Sequence, residues 1–189
     1  MDTAMRITML FALLVSASVF AGGQSKKLNP LPKELQGDMV PNFFVLAIDN
    51  ETELDRKSLK EEAKKSGAKR IVLSFFATWC VNCREEFKSL RKNAGKLREN
   101  GVQVYLIDVG EKIIKDGKKA KDFVEEFAGD SFPFYFDQSA NLLKDFGFIE
   151  RSATQFSLPI VLVLDTDLRV LGVFTEAGDD FPQVLWGDL

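Results

Sequence analysis

The sequence predicts an α/β sandwich built on a mixed sheet. Two patterns carry that prediction. Apolar strand-like runs alternate with segments of helical periodicity between Phe43 and Phe146, and the chain then closes in a strand–turn–strand pattern: Ile160 to Leu164, Asp165 to Asp167, Val170 to Phe174. Composition supports it: 189 residues without an internal repeat, 46% hydrophobic and with 17 phenylalanines, suffice for one domain with an aromatic-rich core.

The elements follow in order. Phe43 to Ile48 is a short apolar run that a strand would bury, turned by Asp49-Asn50-Glu51. Ser58-Leu59-Lys60-Glu61 has capping-box form and predicts the start of a polar helix ending around Lys65-Ser66-Gly67. Arg70 to Phe76 is rich in β-branched and aromatic residues, as in a strand covered on both faces. Cys83, Phe87, Leu90, Ala94 and Leu97 then mark one face of a helix that Asn100-Gly101 stops. Val102 to Val109 reads as a strand. After a polar stretch, Gly110 to Lys119, the residues Ala120, Phe123, Val124 and Phe127 mark a second amphipathic helix. Phe134 to Phe136 gives a short strand, Leu142, Leu143 and Phe146 a short helix closed by Gly147, and Asp180-Phe181-Pro182 the start of a final one.

The ends divide the chain. Residues 1–21 read as a secretory signal: Arg6 precedes an apolar run, and Val19-Phe20-Ala21 offers a small-x-Ala cleavage site. The run is shorter than the ~20 residues of a spanning helix, which disfavours an uncleaved membrane anchor. Residues 22–38, polar and containing Pro30 and Pro32, read as a linker, and 39–189 as the folded domain. Lys+Arg of 25 against Asp+Glu of 28, a net charge of -3 with no large basic block, argues against nucleic acid as a partner. The chain has no histidine, which removes the commonest general base and metal ligand, and two cysteines alone make a poor zinc site. No metal or bound cofactor is expected.

The chemistry centres on Cys80-Val81-Asn82-Cys83, where the strand ending at Phe76 meets the helix. A helix N-terminus presents unpaired N–H groups and the positive end of the dipole, which favour thiolate over thiol. Cys80 is therefore expected to attack a partner disulfide, and Cys83, inside the first turn, to resolve the mixed disulfide. A static staple is disfavoured because so short a loop gains little from closure. Trp79 suits either the core or an apolar wall that a partner touches. Glu86, three residues after Cys83, falls on the same side of the helix, either beside the cysteines or as an exposed first-turn acid. Arg84 and Glu85 are expected to face solvent.

These features together resemble the thioredoxin fold and, within it, the extracytoplasmic TlpA/ResA-like branch. The resemblance runs from about Val40 to Phe174 and is carried by Pro41-Asn42-Phe43, Phe76-Ala77-Thr78-Trp79-Cys80 with Cys83-Arg84-Glu85-Glu86, the extra strand and helix between Val102 and Phe127, and Leu158-Pro159. It implies a three-layer sandwich, a mixed central sheet flanked by helices, with the branch's strand–helix insertion. It also implies that Glu86 tunes protonation of the cysteine pair as proton acceptor, and that Leu158-Pro159 is a cis-proline loop whose Leu158 backbone lies opposite Cys80 and pairs with an extended partner segment. The strand position that is aspartate in thioredoxin is Ser74 here. Departures are Val81-Asn82 in place of a proline beside the second cysteine, Ile160 where threonine usually follows the cis-proline, and additional residues around Glu150 to Phe156.

The expected function is that of an exported, periplasmic thiol–disulfide oxidoreductase. It would reduce disulfides in envelope proteins, with apocytochrome c thiols among the substrates implied by the family (cytochrome c maturation) and a membrane-bound electron donor. Its only redox group would be the Cys80–Cys83 disulfide. Two alternatives stand beside it: a disulfide oxidant or isomerase of the same fold, since potentials across this architecture span roughly -270 to -120 mV, and a Cu(I)-binding thiol metallochaperone. Lack of histidine, and of methionine near the pair, argues against the chaperone, which tight stoichiometric copper binding without redox activity would favour.

Overall fold

A computed structural model describes residues 37–49, 51–149, 151, 156–175 and 181–187. The signal expected over 1–21 and most of the linker expected over 22–38 lie outside the described residues, as do most of the additional residues around Glu150 to Phe156. Gly37 and Asp38 already exchange backbone hydrogen bonds with Val170, at 3.1 and 3.0 Å.

The chain is a thioredoxin-like three-layer α/β sandwich. Its elements are β1 (Phe44–Leu46), β2 (Glu53–Asp55), α1 (Arg56–Ser66), β3 (Arg70–Phe76), α2 (Val81–Glu99), β4 (Val102–Val109), α3 (Ile113–Phe127), β5 (Phe134–Asp137), α4 (Asn141–Asp145), β6 (Ile160–Leu164), β7 (Val170–Phe174) and α5 (Phe181–Val184), with a 3-10 turn at Gly129–Ser131. The seven strands form one sheet in the order β2-β1-β5-β4-β3-β6-β7. β3, β4 and β5 run parallel, while β1 with β2, β1 with β5, β3 with β6 and β6 with β7 pair antiparallel. The expected hairpin is β6–β7. Among the described residues no helix is long and apolar enough to cross a membrane.

Two local expectations are corrected and one strand, β2, is added. α1 begins with Asp55, not Ser58, as its N-cap: the Asp55 carboxylate accepts the Ser58 N–H at 2.7 Å and Ser58 Oγ accepts the Asp55 N–H at 2.9 Å. The box is real, but Ser58 sits at its third position, and the reciprocal bonds satisfy donors at both ends. β2 lacks an apolar run and exists because the turn after β1 folds Glu53–Asp55 back along Phe44–Leu46. α3 begins at Ile113, so the polar stretch is mostly helix, with Ile113, Gly117, Ala120, Phe123 and Val124 on its buried face.

Alternation along the strands sorts side chains between the two helical layers. Ser74, Phe76 and Asp108 point to one face, since Phe76 and Asp108 are in register across β3 and β4. α2 and α3 cover that face, with Phe87 at 4.9 Å and Phe123 at 5.7 Å from Phe76, centroid to centroid. α1 covers the other, where the Tyr105 hydroxyl donates to Glu62. β3 lies between β4 and β6, and the chain is wholly buried from Ile71 through the end of the strand to Ala77.

Candidate active site

β3 carries the chain to the reactive pair. Beyond Phe76, a turn closed by the Cys80 N–H on Ala77 O, at 2.9 Å, brings Cys80 to the N-cap of the 19-residue helix α2. There the sulfur takes the place of a capping oxygen, accepting the Cys83 N–H at 3.1 Å. A donor and a dipole aimed at Sγ stabilise negative charge on it. Cys80 and Cys83 are joined as a disulfide, Cys83 is fully buried, and Cys80 keeps 4% of its surface exposed.

Glu86 lies one turn past Cys83 on the same buried face of α2, so the exposed first-turn alternative is excluded. Ser74 Oγ donates to its Oε1 at 2.6 Å, and Oε2 has no partner among the described residues. Burial, only partly opposed by that hydrogen bond, pushes the carboxyl up to about 8. Glu86 therefore holds its proton at neutral pH in the disulfide form. Ser74 is no base, but it orients the acid that α2 supplies.

Trp79 is 55% exposed and Val81 66%, which rules out the core reading of Trp79. The Trp79 ring is steadied by Phe156, at 6.1 Å between centroids, from the segment just ahead of β6. Trp79→Ala is expected to slow reaction with protein disulfides about tenfold, leaving reaction with a small disulfide reagent and the melting temperature near parental values. A drop in melting temperature instead would mark Trp79 as structural.

The Leu158–Pro159 peptide bond is cis, and both residues are buried. Ile160 pairs with Phe75, so Pro159 flanks the end of β3 from which the Cys80 turn departs. Arg84 and Glu85 face solvent as expected; Arg84 lies over Phe123 and Phe127, and Glu85 pairs with Lys88.

Two acids of this region were not anticipated. The Glu111 carboxylate accepts the Thr78 N–H at 2.9 Å and its hydroxyl at 2.6 Å, and Asp108, fully buried, stands beside Glu111. The available signal was an aspartate among the last apolar residues of a strand covered on both faces, Tyr105-Leu106-Ile107-Asp108-Val109. Among the described residues no three side chains of Cys, Asp, Glu or His lie together as a metal site would need.

The family model described as Redoxin matches residues 35–185. The thiol-disulfide oxidoreductase ResA of Bacillus thuringiensis subsp. konkukian is 29% identical over 135 residues, 71% of this chain and 66% of that protein. ResA of Bacillus subtilis is 28% identical over 126 residues, 67% of this chain and 59% of that protein. The chain thus spans somewhat less than two thirds of the length of the curated relatives it matches. Among solved structures, a thiol:disulfide interchange protein DsbE from Chlorobium tepidum superposes with a TM-score of 0.60 at 19% identity, over 79% of this chain and 92% of that one. A protein disulfide isomerase from Bacteroides thetaiotaomicron gives 0.59 at 21% identity, over 79% and 85%. Both show the fold.

Proposed function

The chain belongs to the Redoxin family, and on that premise we propose that it is an exported thiol–disulfide oxidoreductase that reduces disulfides in proteins of the cell envelope. The observation that carries this reading is the Cys80 sulfur at the N-cap of α2, accepting a backbone N–H and bridged to a buried Cys83. The names of the ResA relatives support the reaction class. The signal-like residues 1–21 support export to the periplasm.

In the reduced protein the Cys80 thiolate attacks one sulfur of a partner disulfide. An S–S bond forms between Cys80 and the partner, and the second partner sulfur leaves as a thiolate that takes a proton from water. Cys83 then gives its proton to the Glu86 carboxylate and attacks Cys80 Sγ, closing the Cys80–Cys83 bond and expelling the partner's first sulfur. The protein ends as disulfide with Glu86 protonated, which is the state that burial of Glu86 favours. A dithiol donor, membrane-bound in this proposal, reverses the sequence and returns the Glu86 proton to Cys83. Trp79 and Val81 provide the apolar contact surface, and the Leu158 backbone ahead of cis Pro159 the hydrogen-bonding edge for an extended segment.

Haem-attachment thiols of apocytochrome c are the substrate to try first. Equilibration against thiol–disulfide buffers is expected to give a potential toward the reducing end of the range, about -270 mV, with stoichiometric reduction of a Cys-x-x-Cys-His peptide disulfide. A potential near the oxidising end, about -120 mV, with no reduction of the peptide would reverse the assigned direction.

A further inference from the structure

Asp108 is the one acid of β4, and the redox steps above do not use it. It is 0% exposed, on the sheet face covered by α2 and α3, and among the described residues neither of its carboxyl oxygens has a well-formed hydrogen bond, the Glu111 backbone N–H being the one donor turned toward it. An ionised carboxylate with no more than one poorly aligned donor is strongly disfavoured in such a place. Its close polar neighbour is Glu111, whose side chain is 10% exposed and whose two oxygens are turned to the N–H and hydroxyl of Thr78, with Lys119 Nζ 3.7 Å away. Glu111 is thus the charged acceptor, and Asp108 can be accommodated beside it only as a donor.

We infer that Asp108 and Glu111 are a carboxylic acid–carboxylate pair that shares one proton, and that this pair is the positioning element for the turn from Thr78 to Cys80. Thr78 precedes Cys80 by two residues, and the hold of Glu111 on both its donors fixes the direction in which Trp79 and Cys80 leave β3. With the proton in place the two carboxyls attract; without it two carboxylates face each other out of water, and Glu111 is driven off Thr78. The electrostatics agree. Burial, then the Glu111 side chain, raise Asp108 well above the usual carboxylate range. At Glu111 burial pulls upward too, but the hydrogen bonds from Asp108 and Thr78, with Lys119, outweigh it and lower the net value.

The other charged groups around the pair come from α3 and α2. α3 contributes Lys115, Asp116, Lys118 and Lys119, with Asp116 adding to the upward shift of Asp108. α2 contributes Arg84, which lines a surface groove together with Thr78, Lys115 and Lys119, and Glu86 beyond Phe76. β5 places Phe136 in register with Asp108, so its acid, Asp137, in register with Val109, points to the other face of the sheet.

The kinetic half of the inference rests on Cys80 as the attacking sulfur; the proton is read without any partner. In a Glu86→Gln background at about pH 8, where ordinary carboxyls are ionised, infrared spectroscopy is expected to show the carbonyl band of an un-ionised carboxylic acid, and Asp108→Asn to remove it. No such band, or its persistence in the asparagine variant, would overturn the shared proton. In the otherwise native reduced protein, the reaction of Cys80 with a small disulfide reagent is expected to stay within about twofold in Asp108→Asn, which keeps a neutral donor toward Glu111. It should fall about tenfold in Asp108→Leu and in Glu111→Gln, which offers one acceptor oxygen where Glu111 uses two. With rising alkalinity the parental rate should drop away from that of Asp108→Asn.

Parental rates in both Asp108→Leu and Glu111→Gln would overturn the positioning role while leaving Cys80 as a working nucleophile. An inert Cys80 in the parent would instead sink the redox reading and leave the infrared result standing. Circular dichroism identifies a variant that has not folded, and the near-isosteric Asp108→Asn carries the spectroscopic arm if the leucine variant does not.

Discussion

The Cys83→Ser variant is expected to accumulate mixed disulfides on Cys80 and to lose turnover by on the order of 1000-fold. Cys80 retains some exposed surface and its sulfur already accepts the Cys83 N–H, so attack on a partner does not need Cys83 Sγ. Release does, because the second sulfur is held within one helical turn, and serine is far too weak a nucleophile to replace it. Cys80→Ser should be equally inactive yet trap nothing, since Cys83 is fully buried. Removing the disulfide itself should matter little to folding, about 2 kcal/mol or less for so short a loop. Non-reducing electrophoresis followed by mass spectrometry of the trapped species gives partner and site together; partners found on Cys83 in the Cys80→Ser variant would reverse the nucleophile assignment.

Glu86→Gln is expected to change both stability and resolution, and the sign of the first is fixed by linkage. The folded state holds this carboxyl proton more tightly than the unfolded chain, with a value of about 8 against 4.5. Stability derived from the neutral form is therefore fully present below pH ~4.5, and it declines as pH rises toward ~8 at about 1 kcal/mol per pH unit. Asp108 and Asp137 are raised as well and slope the same way, so the informative quantity is the difference between the parental and Glu86→Gln curves. Urea unfolding of the disulfide form across pH 5 to 8 should show the variant's curve flatter by about that slope; parallel curves would contradict a buried, protonated Glu86. Kinetically, loss of the proton acceptor should slow resolution by Cys83 about 100-fold, visible as a mixed disulfide that lingers on Cys80.

The sheet centre was the most legible part of the chain. β3 and β4 are found at the residues read from the sequence because both are rich in β-branched and aromatic residues, preceded by Gly67 in one case and Gly101 in the other. α3 was half hidden: Lys112, Lys115, Lys118 and Lys119 make its first turns read as a loop, although Ile113 and Gly117 face the core. β2 was invisible because its register comes from a neighbour, not from its own three residues. At the site, the cysteine spacing and the run of Glu86 behind Cys83 placed three groups together, and resemblance supplied Pro159. Asp108 went unseen despite a signal, an acid inside a strand covered on both faces, whereas the hold of Glu111 on Thr78 is a tertiary relation with no local pattern. Exposure of Trp79 likewise depends on what the turn leaves uncovered, not on the residue's own preference for burial.

The central place of β3 bears on how the protein comes apart. Its backbone is bonded to β4 on one side and β6 on the other, and its buried run continues into Ala77, at the mouth of the Cys80 turn. Amide hydrogens in such a strand exchange only through the most complete opening of a domain, whereas short strands near the margin, such as β2, open at far lower free energy. The sulfur pair is thus suspended from the strand whose amides are expected to exchange slowest. Fluctuations that loosen the margins leave its geometry untouched, and loss of the site coincides with global unfolding.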